Sequence, residues 1–257
     1  MNIFKQLIFL LTISALVFNC SESDSGNMSG SNSSGAPGVS KAGSMAAFAV
    51  NGQYLYVLDN NQLLIFSIAN PSQVAYTTVV NMPQGITAET LYPYGDYLFI
   101  GTMQGVLIYN STNAAEPVFL SMYEHVVSCD PVVVNGQYAY VTLRTGTRCP
   151  GTNQLEVLDL IDITNPKVVG RLSLFNPHGL DVDDSVLVVC EGSKGFKTIS
   201  VANPKAPKLI AAIDSMQTYD VITWNKVAII TGKDGIYQYN YSNPKQPVLL
   251  SKISIQK

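Results

Sequence analysis

Charge is scarce in this 257-residue sequence, with Lys, Arg, Asp and Glu making up only 13 % of it. No block of like charge occurs, so nothing suits a phosphate backbone and no nucleic-acid partner is expected. Histidine is nearly absent, with only His125 and His178. There is no HExxH, no CxxC pair, no phosphate-binding glycine loop and no G-x-S-x-G elbow. Zinc-hydrolase, thioredoxin-like and α/β-hydrolase readings therefore lack their first requirement, and no cofactor or metal is expected. A Ser-His-Asp triad through His178 has nothing in its favour beyond composition. Helical periodicity is missing too, while Tyr, Val, Ile and Thr abound, so the chain reads as a series of strands.

One long apolar run stands out, "LIFLLTISALVF" from Leu7 to Phe18, preceded by Lys5. It fits a secretory h-region and is short of the ~20 residues a membrane-spanning helix needs. The run ends in "LVFNC", which resembles a lipobox and makes Cys20 the lipidated mature N-terminus. Asn19 departs from the small residue of the strict pattern, and an ordinary secretory leader is the alternative. Residues 1–19 are read as a lipoprotein signal peptide. Residues 20–43, almost all Ser, Gly, Asn and acid, are read as a flexible tether that cannot bury enough apolar surface to fold. The acidic, Ser-rich "SESD" resembles export tags of surface lipoproteins, pointing to the outer membrane and the cell surface; facing the periplasm is the alternative. Contact with the membrane is expected through the lipid alone.

The whole sequence is 47 % hydrophobic, and residues 44–257 are ample for one all-β domain. A turn recurs through them: "SIANPSQVA", "NSTNAAEPV", "DITNPKVVG", "SVANPKAPK" and "NYSNPKQPV". Anchored on Asn70, Asn113, Asn165, Asn203 and Asn243, the intervals are 43, 52, 38 and 40 residues, a period that suggests propeller blades. Four strands fit each unit, the units starting near Ser44, Gly85, Ser128, His178 and Gln217. "NG" at Asn51 and Asn135 marks hairpins that need a positive φ. A four-stranded sheet cannot bury both its faces alone, so the expectation is a five-bladed β-propeller whose blades cover one another. A linear solenoid would need polar caps that neither end of the repeats supplies.

The stretches "GSMAAFAV", "TAETLYPYGDYLFIG", "SCDPVVVNGQYAYVTLRTGTRC", "NQLEVLDL", "NPHGL", "TYDVI" and "DGIYQYNYSN" resemble the LVIVD-repeat bacterial lipoproteins, a family of secreted β-propellers. The resemblance implies fold and export. It implies no reaction or ligand.

Function is sought where units depart from the repeat. Turns after the first and third strands are stereotyped, whereas those on the opposite face vary, and the third unit carries a long "RTGTRCPGTN" loop there with Arg144 and Arg148. Loops on a rigid scaffold are where binding residues gather. Aligning the units brings Ala46, Glu89, Asp130, His178 and Tyr219 to equivalent positions where inner strands enter the central channel, with Asp220 and Asp181 nearby. Such a ring could hold a cation, position a sugar or do acid and base work, or merely solvate the channel mouth. The candidate ligand contacts are Glu89, Asp130, Arg144, Arg148, His178, Tyr219 and Asp220. The expected function is a non-catalytic envelope binding module for a protein or glycan; the alternative is an envelope hydrolase acting on carbohydrate or lactone. Cys129, just before the first strand of the third unit, and Cys149, in its long loop, fall on one face of one blade and are expected to form a disulfide in an oxidising compartment. Cys190 is left as a buried free thiol.

Overall fold

The computed structural model describes residues 43–125, 131–146 and 151–255. The chain separates into residues 1–34 and 35–257, and every described strand lies in the second unit. Cys20, Cys129, Asp130, Arg148 and Cys149 fall outside the described residues.

Among the described residues twenty strands form five antiparallel sheets of four, each sheet made of strands consecutive in sequence. Blade one is β1 (Phe48–Asn51), β2 (Tyr54–Asp59), β3 (Gln62–Ser67) and β4 (Ala75–Asn81); blade two is β5 (Ala88–Tyr94), β6 (Tyr97–Thr102), β7 (Gly105–Asn110) and β8 (Val118–Glu124). Blade three is β9 (Val132–Asn135), β10 (Tyr138–Leu143), β11 (Gln154–Asp159) and β12 (Lys167–Ser173). Blade four is β13 (Leu180–Asp183), β14 (Val186–Cys190), β15 (Phe196–Ser200) and β16 (Lys208–Ile213), and blade five is β17 (Thr218–Trp224), β18 (Val227–Gly232), β19 (Gly235–Asn240) and β20 (Val248–Ser254). This is the expected all-β, five-bladed propeller.

The first hairpin of each blade has a two-residue loop opened by a residue with positive φ: Gly52, Gly95, Gly136, Asp184 and Asn225. The glycine of "NG" takes that conformation, while Asn51 and Asn135 pair with Tyr54 and Tyr138 across the ladder.

The recurring turn joins the third strand to the fourth, and its chemistry is an Asx turn. The side-chain oxygens of Asn70, Asn113, Asn203 and Asn243 accept the amide two residues on, and each backbone carbonyl accepts the amide three residues on. In blade three that role belongs to Asp162, whose Oδ1 takes Thr164 N at 3.1 Å and whose carbonyl takes the Asn165 amide. The anchor at Asn165 is thereby corrected: the sequence resemblance of "TNP" hides a displacement by three residues, and with Asp162 the intervals become 43, 49, 41 and 40.

Side chains alternate between the two faces of each sheet, so each of the three middle blades packs against both neighbours. In blade two, Leu98, Ile100, Leu107 and Tyr109 face blade one, whereas Phe99, Val106 and Ile108 face blade three; all are buried. Four buried clusters fill the four seams between consecutive blades. Hydroxyls tie three of the seams to the turn of the next blade: Tyr56 to Ala114 O at 2.7 Å, Ser121 to Ile163 O at 2.6 Å and Thr198 to Pro244 O at 2.6 Å. At the remaining seam Gly170 lets the backbone of Pro204 approach to where a Cβ would stand 2.1 Å from its carbonyl oxygen.

Among the described residues no such cluster joins blade five to blade one. Leu55, Val57, Leu64 and Phe66, the counterparts of the wholly buried blade-two residues, remain partly exposed, and Phe48 is 62 % exposed. The ends of the series meet instead through the segment before β1. There Ser44 is fully buried, accepting Leu180 N at 2.8 Å and donating to Asp220 at 3.3 Å.

Candidate functional site

Registers align the first hairpins of the five blades. Phe48, Leu91, Val132, Leu180 and Val221 pair with Val57, Ile100, Val141, Val189 and Ile230, and two residues before each of them stand Ala46, Glu89, Asp130, His178 and Tyr219. Glu89 and Tyr219 are the extra residues of β-bulges at matching places, between Ala88 and Thr90 and between Thr218 and Asp220. A bulge re-aims the side chain it inserts, which sets both at the rim of their blades.

The structure brings His178, Tyr219, Asp220 and Arg144 together. The His178 and Tyr219 rings meet edge to face with centroids 6.2 Å apart. The backbone of His178 is pinned from both sides: its amide donates to Cys190 O at 2.8 Å and its carbonyl accepts Thr142 Oγ1 at 2.8 Å. Burial pushes the imidazole down to about 4, and the positive charge of Arg144 adds to this, so the ring is neutral near pH 7. Its Nε2 lies 3.3 Å from the Asn176 amide nitrogen. Gly192, at φ +57°, makes room for the pair, since a Cβ there would stand 2.6 Å from Asn176 Nδ2 and 3.0 Å from His178 Nε2.

Asp220 adjoins Tyr219 in sequence, but its carboxylate turns to the strap before β1. It accepts Ser44 Oγ and the Val221 and Met45 amides, and it lies so close to Gly43 and Gly179 that a Cβ on either would meet it within about 2 Å. Burial raises its pKa to about 6 despite those hydrogen bonds, and the nearby Asp181 contributes to the rise. Asp181 itself is structural: it is buried and holds Thr223 N at 2.6 Å and Thr223 Oγ1 at 2.8 Å across the seam between blades four and five. Glu89 occupies the matching bulge in blade two. Among the described residues no group of His, Cys, Asp and Glu side chains is placed to hold a metal ion.

Sequence reasoning missed Glu191, Asn176 and Ser44. Glu191 is fully buried at the end of β14; its Oε2 accepts the amides of Phe175 at 2.9 Å and Asn176 at 3.3 Å and pairs with Lys197 at 3.2 Å. It thereby fixes the link between β12 and β13 that carries Asn176 and His178. The signal was there, a carboxylate closing the apolar run "VLVVCE". The loop between β10 and β11 is pinned at its base by Asn153, whose side-chain oxygen accepts Thr145 N at 2.8 Å and Thr145 Oγ1 at 3.1 Å. Cys190 is a buried free thiol, raised far above its ordinary range by burial. A separate cavity of about 280 Å³, lined mainly by Tyr94, Tyr97, Phe99, Leu160 and Ile163, opens between blades two and three near the stereotyped turns.

Residues 42–81, the span of blade one, match the LVIVD repeat. No curated protein matches the sequence. Among solved structures the chain is similar to the periplasmic gluconolactonase PpgL of Pseudomonas aeruginosa, with 13 % identity and a TM-score of 0.64 over 79 % of this chain and 68 % of that one. It is also similar to a protein from Lactobacillus plantarum, at 16 % identity and a TM-score of 0.64 over 79 % and 69 %, and to a functionally unknown protein from Desulfotomaculum acetoxidans, at 8 % identity and a TM-score of 0.66 over 85 % and 70 %. At such identities the likeness concerns the fold alone. The chain thus carries an LVIVD repeat over its first blade and folds as a five-bladed β-propeller.

Proposed function

We propose that the protein is an envelope lipoprotein, anchored through Cys20, that serves as a binding module for a glycan or protein ligand through the mouth of blades four and five. The observation that carries this reading is the neutral His178, held at its backbone by Cys190 and Thr142 and flanked by Asn176 and Tyr219. Such a cluster is pre-organised, so little ordering cost falls on the ligand's arrival. The variable loops of this face, with Arg144 beside them, supply the rim. A glycan and protein array, followed by the combined substitution of Asn176, His178 and Tyr219 with Ala, tests it. Binding should vanish while the melting temperature stays within a few degrees. Binding that persists and maps to the cavity near Tyr94 would place the site on the other face.

The second reading is a hydrolase of carbohydrate or lactone. Asp220 favours it, because a carboxyl with a pKa near 6 is matched to general acid and base work. The likeness to a gluconolactonase is in keeping with this reading through the fold. Turnover of an aldonolactone that Asp220→Asn abolishes would establish it.

A further inference from the structure

The side chains presented by blades four and five at this mouth are of a restricted kind. Phe175 is 54 % exposed and Tyr219 36 % exposed, giving two aromatic rings to solvent. Between them along the chain and through the His178 ring contact stand a primary amide and an imidazole. The carboxylates are engaged elsewhere: Glu191 is fully buried against Lys197 and the Phe175 and Asn176 amides, and Asp220 is turned to Ser44 and Met45. Lys194 is drawn over the Phe175 ring, 5.6 Å from its centroid.

The polar groups that remain are matched to one chemistry. A neutral imidazole accepting the Asn176 N–H at Nε2 carries its own proton on Nδ1, and Asn176 keeps a carbonyl oxygen and a second N–H. Tyr219 adds a hydroxyl that both donates and accepts. A metal ion asks for anionic acceptors, which the nearby charge of Arg144 opposes, and a bare phosphate or carboxylate would use that charge but leave the amide carbonyl and the aromatic faces unmatched. Neighbouring hydroxyls of a sugar ring ask for donors and acceptors side by side, and the C–H face of the ring packs on an aromatic plane.

We infer that the mouth formed by Phe175, Asn176, His178 and Tyr219 is a saccharide-binding site. The inference rests on the proposed binding face and narrows its ligand to one class. Phe175 and Tyr219 supply the stacking surfaces, Asn176 and His178 the hydroxyl contacts, and Glu191 acts as a positioning residue that holds the Phe175–Asn176 backbone. Gly192 is the floor that leaves the amide and imidazole side by side.

The test uses the full chain in detergent on an array of neutral and acidic glycans beside a peptide library, followed by calorimetry with each glycan retained. At least one glycan should bind. Tyr219→Ala and Phe175→Ala, both at exposed positions where folding is not at stake, should each weaken it by about tenfold or more. Tyr219→Phe should retain most of the affinity, because it keeps the ring. Asn176→Asp, which replaces the amide donor with an acceptor, should weaken it comparably. An array without a bound glycan overturns the inference. If peptides bind instead and Tyr219→Ala removes them, the saccharide class is wrong while the binding face stands. A glycan that binds all four variants as it binds the parent protein overturns both.

Discussion

The hydroxyl of Ser44 accepts the Leu180 amide at 2.8 Å and donates to Asp220 Oδ1 at 3.3 Å, so one small side chain preceding the first blade engages the inner strands of the fourth and fifth. It is completely buried, and its neighbour Gly43 lies against the same carboxylate. The two ends of the blade series are thus connected by a polar strap, whereas each of the four seams between consecutive blades is filled by an apolar cluster.

Ser44→Ala should therefore destabilise the fold by ~1–3 kcal/mol, the cost of leaving a buried amide without its acceptor. Denaturant unfolding gives the magnitude. Hydrogen exchange at the Leu180 amide locates it, since that proton loses its partner and should exchange faster. A variant within about 0.5 kcal/mol of the parent would mean that water replaces the hydroxyl at no cost.

Two glycines with similar φ make a controlled pair. Gly195 has φ +65°, and a Cβ there would sit 1.7 Å from the carbonyl oxygen of Ile213. Gly52 has φ +59° and open space around it. Gly52→Ala should cost only the backbone penalty, about 1 kcal/mol. Gly195→Ala must also push β15 from β16 and should cost more than ~3 kcal/mol, enough to lose soluble protein in a marginal fold. Equal losses would show that the close approach relaxes freely.

What the sequence made legible was whatever repeats. Strand number, blade count and the face that carries variable loops follow from turns spaced by one blade, whereas counting back from the first hairpin meets an extra residue at Glu89 and at Tyr219. Counting failed where a look-alike intervened, as at Asn165, because "TNP" copies the letters of the turn while Asp162 performs its hydrogen bonding. Glu191 and Asn176 escaped because their importance lies in a bond between a strand end and the link before the same blade. Ser44 escaped because its partners are 136 and 176 residues away, and no local pattern announces them. Asp220 was legible as an acid beside Tyr219, but its direction toward the strap belongs to tertiary structure.

Cys20→Ala should release the protein from membranes into the soluble fraction. Each buried CH₂ of an acyl chain contributes ~0.8 kcal/mol to membrane partitioning, which a variant without the proposed lipid would lose. Detergent-phase partitioning of the variant is the measurement, and unchanged partitioning would refute lipidation at this residue.

Cys129 and Cys149 should be linked in protein taken directly from the envelope, leaving Cys190 reduced. Cys190 is buried with its thiol disfavoured from ionising, which makes it a poor partner for exchange. Closing the ~20-residue loop would contribute about 3 kcal/mol in the chain-entropy description. Non-reducing peptide mapping decides, and a linked pair containing Cys190 would be the contrary result.

The last prediction concerns pH, because two neighbouring groups of the mouth titrate in overlapping windows with opposite effect. Asp220 ionises near 3.8 in an unfolded chain and near 6 in the fold, so the folded protein holds the extra proton between those values and loses stability as pH rises through them. His178 titrates near 6.5 unfolded and near 4 folded, so the unfolded chain holds the extra proton and the fold gains stability as pH rises through that range. The causes are shared burial, with Asp181 raising the carboxyl and Arg144 lowering the imidazole. In the parent protein the two slopes offset, and the melting temperature should change little from these groups between about pH 4 and 6. Asp220→Asn removes the falling contribution while keeping the shape of the side chain, so its melting temperature should climb more steeply with pH than the parent's. His178→Gln removes the rising one and should show a decline instead. The double variant should return to a flat profile across this window. Parallel curves for all four proteins would mean that neither group is shifted by the fold, and a climb in His178→Gln with a decline in Asp220→Asn would reverse the assignment of the two slopes.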